Sequence, residues 1–174
     1  MRRLLTLLAA VLVVAAVPAV LSAGGGSGDG GAVAAGPERI ARVVRVVDGD
    51  TITVRLDGRV ERVRYIGVDT PESKKPGTPV QCFALRASRE NERLVRGERV
   101  RLVRDVRERD RFGRLLAYVY RARDGLFVNA ALVRGGFARS LTVPPDVRFA
   151  DRFVALAAEA RRAHRGLWRT CTAA

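Results

Sequence analysis

A β-hairpin signal between two alternating runs constrains the fold of this chain more than any other feature. The runs Thr51–Leu56 and Val60–Ile66 alternate polar and apolar residues, as strands with one buried face do. Asp57-Gly58 between them is the strongest short-range hairpin signal that a sequence offers. Folding about this turn predicts that Asp50 lies opposite Tyr65.

Acidic residues gather at one end of this predicted hairpin. Asp48 and Asp50 stand just before its first strand, and Asp69 and Glu72 follow its second strand. Carboxylates and carbonyl groups, including the carbonyl of Thr70, are hard oxygen donors that suit Ca²⁺ or Mg²⁺ and not zinc or copper. The pattern therefore predicts a divalent-metal site at this end of the hairpin.

The residues around this predicted metal site suit the cleavage of phosphodiester bonds. A divalent ion held by two carboxylates keeps open positions for water and for a phosphate oxygen. Glu72 is placed to orient or deprotonate a water molecule, and Arg64 and Arg114 to neutralise the charge that grows on phosphorus. Each feature alone also has a structural interpretation, as a turn, a helix start or a surface arginine. Their joint placement favours the catalytic interpretation.

The charge of the chain favours a polyanionic partner. Of its 174 residues, 32 are basic and 18 are acidic, which gives a net charge of +14, and nearly all of the basic residues are arginine. The planar arginine side chain suits phosphate groups, so nucleic acid is a natural partner. The alternative is a solvated arginine surface that binds no polyanion.

The N-terminal residues have the composition of an export signal. Residues 1–23 start with Arg2 and Arg3, continue with an apolar run and end in a small-residue cleavage site. We expect a signal peptide there, followed by a flexible Gly-rich linker over residues 24–37 and one domain over residues 38–174. This predicts a secreted protein. Because the apolar run is long, an uncleaved, outward-facing membrane anchor is the alternative.

The two cysteines of the chain, Cys82 and Cys171, are predicted to form a disulfide. An even number of cysteines in an exported chain usually forms disulfide bonds. The alternative is a metal site, but such a site would need more ligands than two cysteines and the lone His164 provide.

Further periodic runs predict the remaining elements. Strands are expected near residues 40–47, 100–106 and 115–120, and helices near residues 80–96, 127–134 and 147–164. Trp168 is expected to pack back onto the core. Five short strands with a helix between the third and the fourth match the order of the OB fold, a five-stranded Greek-key β-barrel. The expected fold class is therefore α+β, a barrel with three α-helices.

Three motifs make the sequence similar to a known family. They are Val47-Asp48-Gly49-Asp50-Thr51, residues 64–72, and Asp110-Arg111-Phe112-Gly113-Arg114-Leu115-Leu116-Ala117-Tyr118. In their order and spacing they resemble the motifs of the staphylococcal nuclease (thermonuclease) family. Residues 128–136 resemble the second helix of that family, and the resemblance extends from about Arg39 to Trp168.

The resemblance implies an OB-fold, Ca²⁺-dependent nuclease that acts on DNA and RNA and leaves 3′-phosphate ends. The matched motifs imply these metal ligands: Asp50, Asp69 and the carbonyl of Thr70, with Asp48 as an outer-shell carboxylate. They imply these catalytic groups: Glu72 as the base, with Arg64 and Arg114 binding phosphate and the transition state. No stable protein partner is expected, and the protein is expected to be a monomer.

One stretch departs from the family pattern. In the best-known nuclease of the family a pair of tyrosines lines the nucleotide pocket, whereas the corresponding residues 140–144 here include no aromatic side chain. Base stacking at this stretch is therefore not expected. Phe112 and Tyr118 are the candidates to replace the missing rings.

Two other functions fit part of the pattern. A nuclease-like OB domain that has lost its catalytic residues would bind nucleic acid without cleaving it, but the charged side chains of the predicted site are all present in this chain. A basic cell-surface adhesion protein would account for the charge and for a possible anchor. An adhesion role would not explain the cluster of acidic residues.

Overall fold

The structure is a computed structural model, and it describes residues 38–73, 77 and 79–171. The predicted signal peptide and linker lie outside the described residues. Among the residues that are described, no helix has the length and apolar character needed to cross a membrane.

The described residues form seven strands and four helices. The strands are β1 (Arg39–Val46), β2 (Thr51–Leu56), β3 (Arg59–Tyr65), β4 (Val68–Asp69), β5 (Arg99–Val103), β6 (Leu115–Arg121) and β7 (Arg139–Ser140). The helices are α1 (Ala84–Val95), α2 (Val128–Arg134), α3 (Ala150–Arg162) and α4 (Leu167–Thr170). Along the sequence the order is β1-β2-β3-β4-α1-β5-β6-α2-β7-α3-α4.

Five of the strands close into a barrel, which confirms the predicted α+β OB fold. Around the barrel the order is β1-β2-β3-β6-β5, with β5 returning to β1. All neighbours are antiparallel except β3 and β6, whose parallel pairing closes the barrel. Strands β4 and β7 form a separate two-stranded sheet that the sequence did not predict. Two residues are too few to show a periodic pattern.

The β2–β3 hairpin has the predicted turn and register. Asp57 and Gly58 both have positive φ, of 48° and 78°, as a type I′ turn requires. Thr51 pairs with Arg64, and the N–H of Tyr65 donates to the carbonyl of Asp50 at 2.9 Å. The hairpin therefore brings Asp50, just before β2, and Asp69, after β3, to the same rim of the barrel.

The core is formed by inward-facing strand residues covered by the helices. Ile52, Val54 and Val63 are fully buried, and burial of each such side chain stabilises the fold by about 1.5–3 kcal/mol. Helix α1 packs a face of small and aliphatic residues on the barrel, as its spacing predicted. An aromatic cluster joins α3 to the barrel, where Phe153 packs against Tyr118.

Other details also differ from the sequence-based expectation, including the short helix α4, which was not predicted. Helix α1 begins at Ala84 and not near residue 80, because Phe83 before it has a left-handed φ of 72°. Helix α3 begins at Ala150, after the turn that contains Pro144 and Pro145. Near the C-terminus Leu167 is the buried residue, whereas Trp168 is only half buried.

The predicted disulfide between Cys82 and Cys171 is present. It joins the segment that leads into α1 to the residue that follows α4, across 89 residues of sequence. In the chain-entropy description, a loop of this length makes a bridge worth roughly 4 kcal/mol.

Candidate active site

All of the predicted site residues lie in one cleft beside the β2–β3 hairpin. The cleft has a volume of about 560 Å³. Its lining includes each side chain that the sequence singled out: Asp48, Asp50, Arg64, Asp69, Thr70, Glu72 and Arg114. Arg62 and Phe112 also line it. Residues from three separate parts of the sequence therefore meet here.

Arg64 lies at the centre of the cleft, where its guanidinium group connects two carboxylates. It is 3.2 Å from a carboxylate oxygen of Asp50 and 3.4 Å from one of Asp69. The same group donates to the carbonyls of Tyr65 and Val68, at 3.0 and 2.8 Å. These bonds fix the guanidinium in one orientation at the end of β3.

Asp50 is the most enclosed carboxylate of the cleft, with 5% of its surface exposed. One of its oxygens accepts hydrogen bonds from the backbone N–H and the hydroxyl of Thr70, at 2.8 and 2.9 Å. Its other oxygen accepts the hydroxyl of Thr51 at 3.2 Å. Asp50 thus joins the start of β2 to the segment after β4.

The turn before Asp50 requires glycine. A Cβ atom on Gly49 would lie 2.7 Å from side-chain atoms of Thr70, which is too close for any other residue. The turn is supported from below by Asn91 of α1, whose amide donates to the carbonyl of Asp48 at 2.9 Å. The hydroxyl of Tyr65 donates to the oxygen of the same amide at 2.9 Å.

The carboxylates of the cleft repel one another. Burial and the nearby charge of Asp50 raise the pKa of Asp48 to about 6. Burial, again with repulsion from Asp50, also raises the pKa of Asp69, although Arg64 and Arg139 oppose this shift. Closely spaced carboxylates that resist ionisation together are stabilised by a bound cation.

The donor chemistry of the cleft fits a hard divalent cation. No three His, Cys, Asp or Glu side chains form a metal-binding group within the described ranges. The predicted ligand set needs only two carboxylates, and both Asp50 and Asp69 contact the same Arg64 guanidinium. Thr70 bonds to Asp50 through its N–H and hydroxyl, and neither bond uses its carbonyl. These oxygen donors match the preference of hard divalent cations such as Ca²⁺ and Mg²⁺.

Glu72 lies in the same cleft, just after Pro71, and its backbone is held by Gln81. The side-chain oxygen of Gln81 accepts the N–H of Glu72 at 2.8 Å. The backbone N–H of Gln81 donates to the carbonyl of Glu72 at 3.0 Å. Gln81 stands next to the bridged Cys82, so the disulfide lies one residue from this contact.

Arg114 reaches the cleft from the turn before β6, where Asp110 orients it. One oxygen of Asp110 accepts the Nε–H of Arg114 at 2.6 Å, and the other accepts the backbone N–H of Arg114 at 3.0 Å. Burial of Asp110 acts against ionisation, but these hydrogen bonds prevail and lower its pKa. The guanidinium carbon of Arg114 lies 5.4 Å from the centre of the Phe112 ring.

A second cavity of about 400 Å³ adjoins the cleft, and both are lined by Arg64, Phe112 and Arg114. Its wall includes Leu141 and Val143, so the stretch without tyrosines does face a pocket. Phe112 is 68% exposed and is available for stacking. The suggestion of Tyr118 as a second stacking ring is wrong, because that side chain is buried in the core and donates to Asp105.

Sequence reasoning missed the residues that support the site. Gln81 gives no signal because its partner, Glu72, lies nine residues earlier in the sequence. Arg139 was missed because it is brought beside Asp69 by the short β4–β7 pair. Asp110 belongs to a motif that the sequence did show, and its position four residues before Arg114 is the one signal that predicts their pairing.

The sequence of this chain is similar to those of known proteins. The family described as "Staphylococcal nuclease homologue" matches residues 62–170. A thermonuclease of Staphylococcus hyicus is 39% identical over 131 residues, which cover 75% of this chain and 76% of that protein. A thermonuclease of Staphylococcus intermedius is 42% identical over 72% of this chain and 74% of its own length. The endonuclease YncB of Bacillus subtilis is 41% identical over 71% of this chain and 59% of its own.

Proposed function

The chain belongs to the staphylococcal nuclease family and is a nuclease, and we propose that it hydrolyses DNA and RNA in a Ca²⁺-dependent reaction that leaves 3′-phosphate ends. One observation supports this proposal above the others. The cleft contains the full set of oxygen donors, the base and both arginines that such a reaction needs.

In the proposed reaction, water attacks phosphorus and the bond from phosphorus to the 5′ oxygen breaks. The phosphate stays on the 3′ oxygen, and the 5′ oxygen leaves as a hydroxyl after gaining a proton. Asp50, Asp69 and the carbonyl of Thr70 would hold Ca²⁺, with Asp48 behind them. When bound, the ion would supply Lewis-acid stabilisation of the negative charge on the phosphate oxygens.

Glu72 takes the proton of the attacking water in this proposal. Its carboxylate lines the cleft near the proposed metal ligands, and its backbone is fixed on both sides by Gln81. A general base must be held within hydrogen-bond reach of the proton that it removes. The contacts with Gln81 fix the backbone from which this carboxylate extends.

Arg64 and Arg114 stabilise the charge that develops on the phosphate. Arg64 is held by backbone carbonyls and Arg114 by Asp110, so each guanidinium is oriented before substrate binds. Donors oriented in advance avoid the cost of reorganisation during the reaction, and they typically contribute 10²–10³-fold each. A planar guanidinium also matches two phosphate oxygens at once.

We propose further that the protein acts outside the cell as a monomer, without a stable protein partner. The composition of residues 1–23 supports export, and the Cys82–Cys171 bridge suits an oxidising compartment. N-terminal sequencing of the protein recovered from culture medium tests the proposed export. A new N-terminus near residue 24 is expected, whereas an intact Met1 in the membrane fraction would indicate the anchored alternative.

The central experiment is a nuclease assay with single-stranded DNA and with RNA, in Ca²⁺ or in excess chelator. Cleavage only with Ca²⁺ is expected, and the products should carry 5′-hydroxyl ends that a polynucleotide kinase labels without prior phosphatase treatment. Products that need phosphatase first would overturn the proposed bond cleavage. Binding without cleavage in either condition would favour the non-catalytic OB-fold module instead.

A further inference from the structure

The outer face of the β1–β2–β3 sheet presents a cluster of arginines that leads away from the cleft. Along each strand alternate residues face outward. On β3 these are Arg64 and Arg62, on β2 Arg55, and on β1 Arg42. A β-bulge between Val43 and Arg45 shifts the register of β1, so Arg45, opposite Thr53, also faces outward. Arg42, Arg45, Arg55 and Arg62 are exposed, and we call these four residues the arginine face.

The strand register places these residues next to one another. Arg62 pairs with Thr53, and Thr53 pairs with Arg45 on the other side, so one row crosses all three strands. In the next row Arg55 pairs with Arg42. Successive rows are about 6.6 Å apart along a strand, and neighbouring strands are about 4.8 Å apart. The four arginines therefore lie in two adjacent rows on one side of the sheet, with the exposed side chain of Val60 at the end of the second row.

This surface is joined to the cleft by Arg62, which lines the cleft and also belongs to the arginine face. Arg64, one row further along β3, lies at the centre of the cleft. A chain of phosphates whose scissile group lies near Arg64 can therefore extend over Arg62 and onto the face.

The arginine face is free of competing acids. Within the described part of the chain, none of its four residues forms an ion pair. The nearest acid on β3, Glu61, pairs with Val54 on the opposite side of the sheet and binds Arg109. A phosphate that binds here breaks no existing ion pair.

We propose that the arginine face binds the phosphate backbone of the polynucleotide substrate beyond the cleft, so that single strands longer than the cleft bind more tightly than short ones. This inference rests on the proposed function, since it assigns a path to the substrate of the same site. The recognition is through phosphates, so it gives affinity and no base preference.

The test compares two triple variants with the same change in charge. One is R42Q/R45Q/R55Q on the arginine face, which leaves the cleft residue Arg62 in place. The other is R134Q/R162Q/R169Q, in which three exposed arginines of the helical side are replaced. Both are made in a Glu72→Gln background, so that binding of labelled oligodeoxythymidylates of about 4 and 20 nucleotides is measured without cleavage.

The arginine-face triple should lower the ratio of long-oligonucleotide to short-oligonucleotide affinity by about tenfold. The slope of log affinity against log salt for the long strand should fall by about 2, because each lost phosphate contact removes about 0.7. A third variant, R42K/R45K/R55K, should keep most of the slope. Equal effects of the two glutamine triples, or an unchanged length ratio, would overturn the proposal.

This measurement separates the inference from the proposed function. Binding in the Glu72→Gln background needs no catalysis, so a wild-type protein that fails to cleave would refute the proposed reaction and leave the path over the arginine face open to the same test. If the wild type cleaves but the ratio of long-oligonucleotide to short-oligonucleotide affinity does not depend on the arginine face, only the proposed phosphate path is refuted. Circular dichroism of each triple confirms that all three variants are folded.

Discussion

Gln81 holds the backbone of Glu72 from both sides, accepting its N–H at 2.8 Å and donating to its carbonyl at 3.0 Å. Gln81 itself is exposed, yet its contacts fix the residue proposed as the base. Its role is therefore one of positioning. It touches neither the proposed metal ligands nor Arg64 among its described hydrogen bonds.

Replacing Gln81 should lower the rate of cleavage more than the affinity for substrate. In Gln81→Ala the N–H of Glu72 loses its acceptor, and a misplaced catalytic group can cost up to about 10²-fold. We expect kcat to fall about tenfold or more with little change in KM. Gln81→Glu, which keeps an acceptor oxygen, should recover most of the rate. If both variants had wild-type kcat, the contact would have no part in positioning Glu72.

Replacing the carboxylate of Glu72 should remove most of the activity and leave the fold intact. In Glu72→Gln turnover should fall by about 10²-fold or more, the usual scale for the loss of a general base. Calcium affinity, measured by calorimetry, should remain, because Glu72 is not a proposed ligand. Asp151→Asn, which removes an exposed carboxylate on α3, is the matched control. Full activity of Glu72→Gln would exclude Glu72 as the base.

Arg64 and Arg114 should behave differently from other arginines when lysine replaces them. Lysine keeps the charge but loses the planar fork that binds two oxygens. Activity should fall by about two orders of magnitude in either variant, the typical loss for one transition-state donor. Arg161→Lys and Arg162→Lys on α3 serve as controls and should alter only salt sensitivity. Similar losses in all four proteins would mean that the arginines act as general surface charge.

The pairing of Asp110 with Arg114 should make stability depend on pH. The folded-state pKa of Asp110 is lowered, so its stabilisation is present above the unfolded pKa of about 3.9 and is lost as pH falls through the folded value. At neutral pH Asp110→Asn should lower the free energy of unfolding by about 1–3 kcal/mol, the usual contribution of hydrogen bonds to charged groups. Thermal unfolding across acidic pH checks this. If the stability difference between wild type and Asp110→Asn stayed constant down to strongly acidic pH, the assigned ion pair would be contradicted.

The aliphatic wall of the second cavity should give little base preference. Stacking on an aromatic ring contributes about 1–3 kcal/mol per base. Among the described residues that line this cavity, the one exposed aromatic side chain is Phe112, beside Leu141 and Val143. Cleavage of homopolymer DNAs should therefore differ little between bases and should decline steeply with salt. A strong preference for one base together with a shallow salt slope would show that a base pocket exists after all.

The sequence predicted those parts of the site that depend on local signals. The type I′ turn at Asp57 and Gly58 sets the register of the hairpin, and the register places Asp50 and Asp69 at one rim. The alternation of polar and apolar residues along the strands likewise predicted which side chains face the core. These features follow from residues that are close together in sequence.

Other features depend on contacts between distant residues and leave no local pattern. The parallel closure of β3 on β6 and the β4–β7 pair join segments far apart in the chain. Tyr118 lies four residues after Arg114, so sequence proximity suggested a stacking role, but the inward side of β6 buries its ring. The side of a strand that a residue occupies is settled only when the barrel closes.

The Cys82–Cys171 bridge has a consequence for the order of events during synthesis. Its two halves are made 89 residues apart, so at usual rates of translation Cys82 exists for roughly 5–20 s before its partner does. During that time, and in any reducing compartment, Cys82 beside Gln81 has no disulfide link to the C-terminal residues. Gln81, which holds the backbone of Glu72, is therefore tied through Cys82 to the C-terminal residues only in chains that have been completed and oxidised.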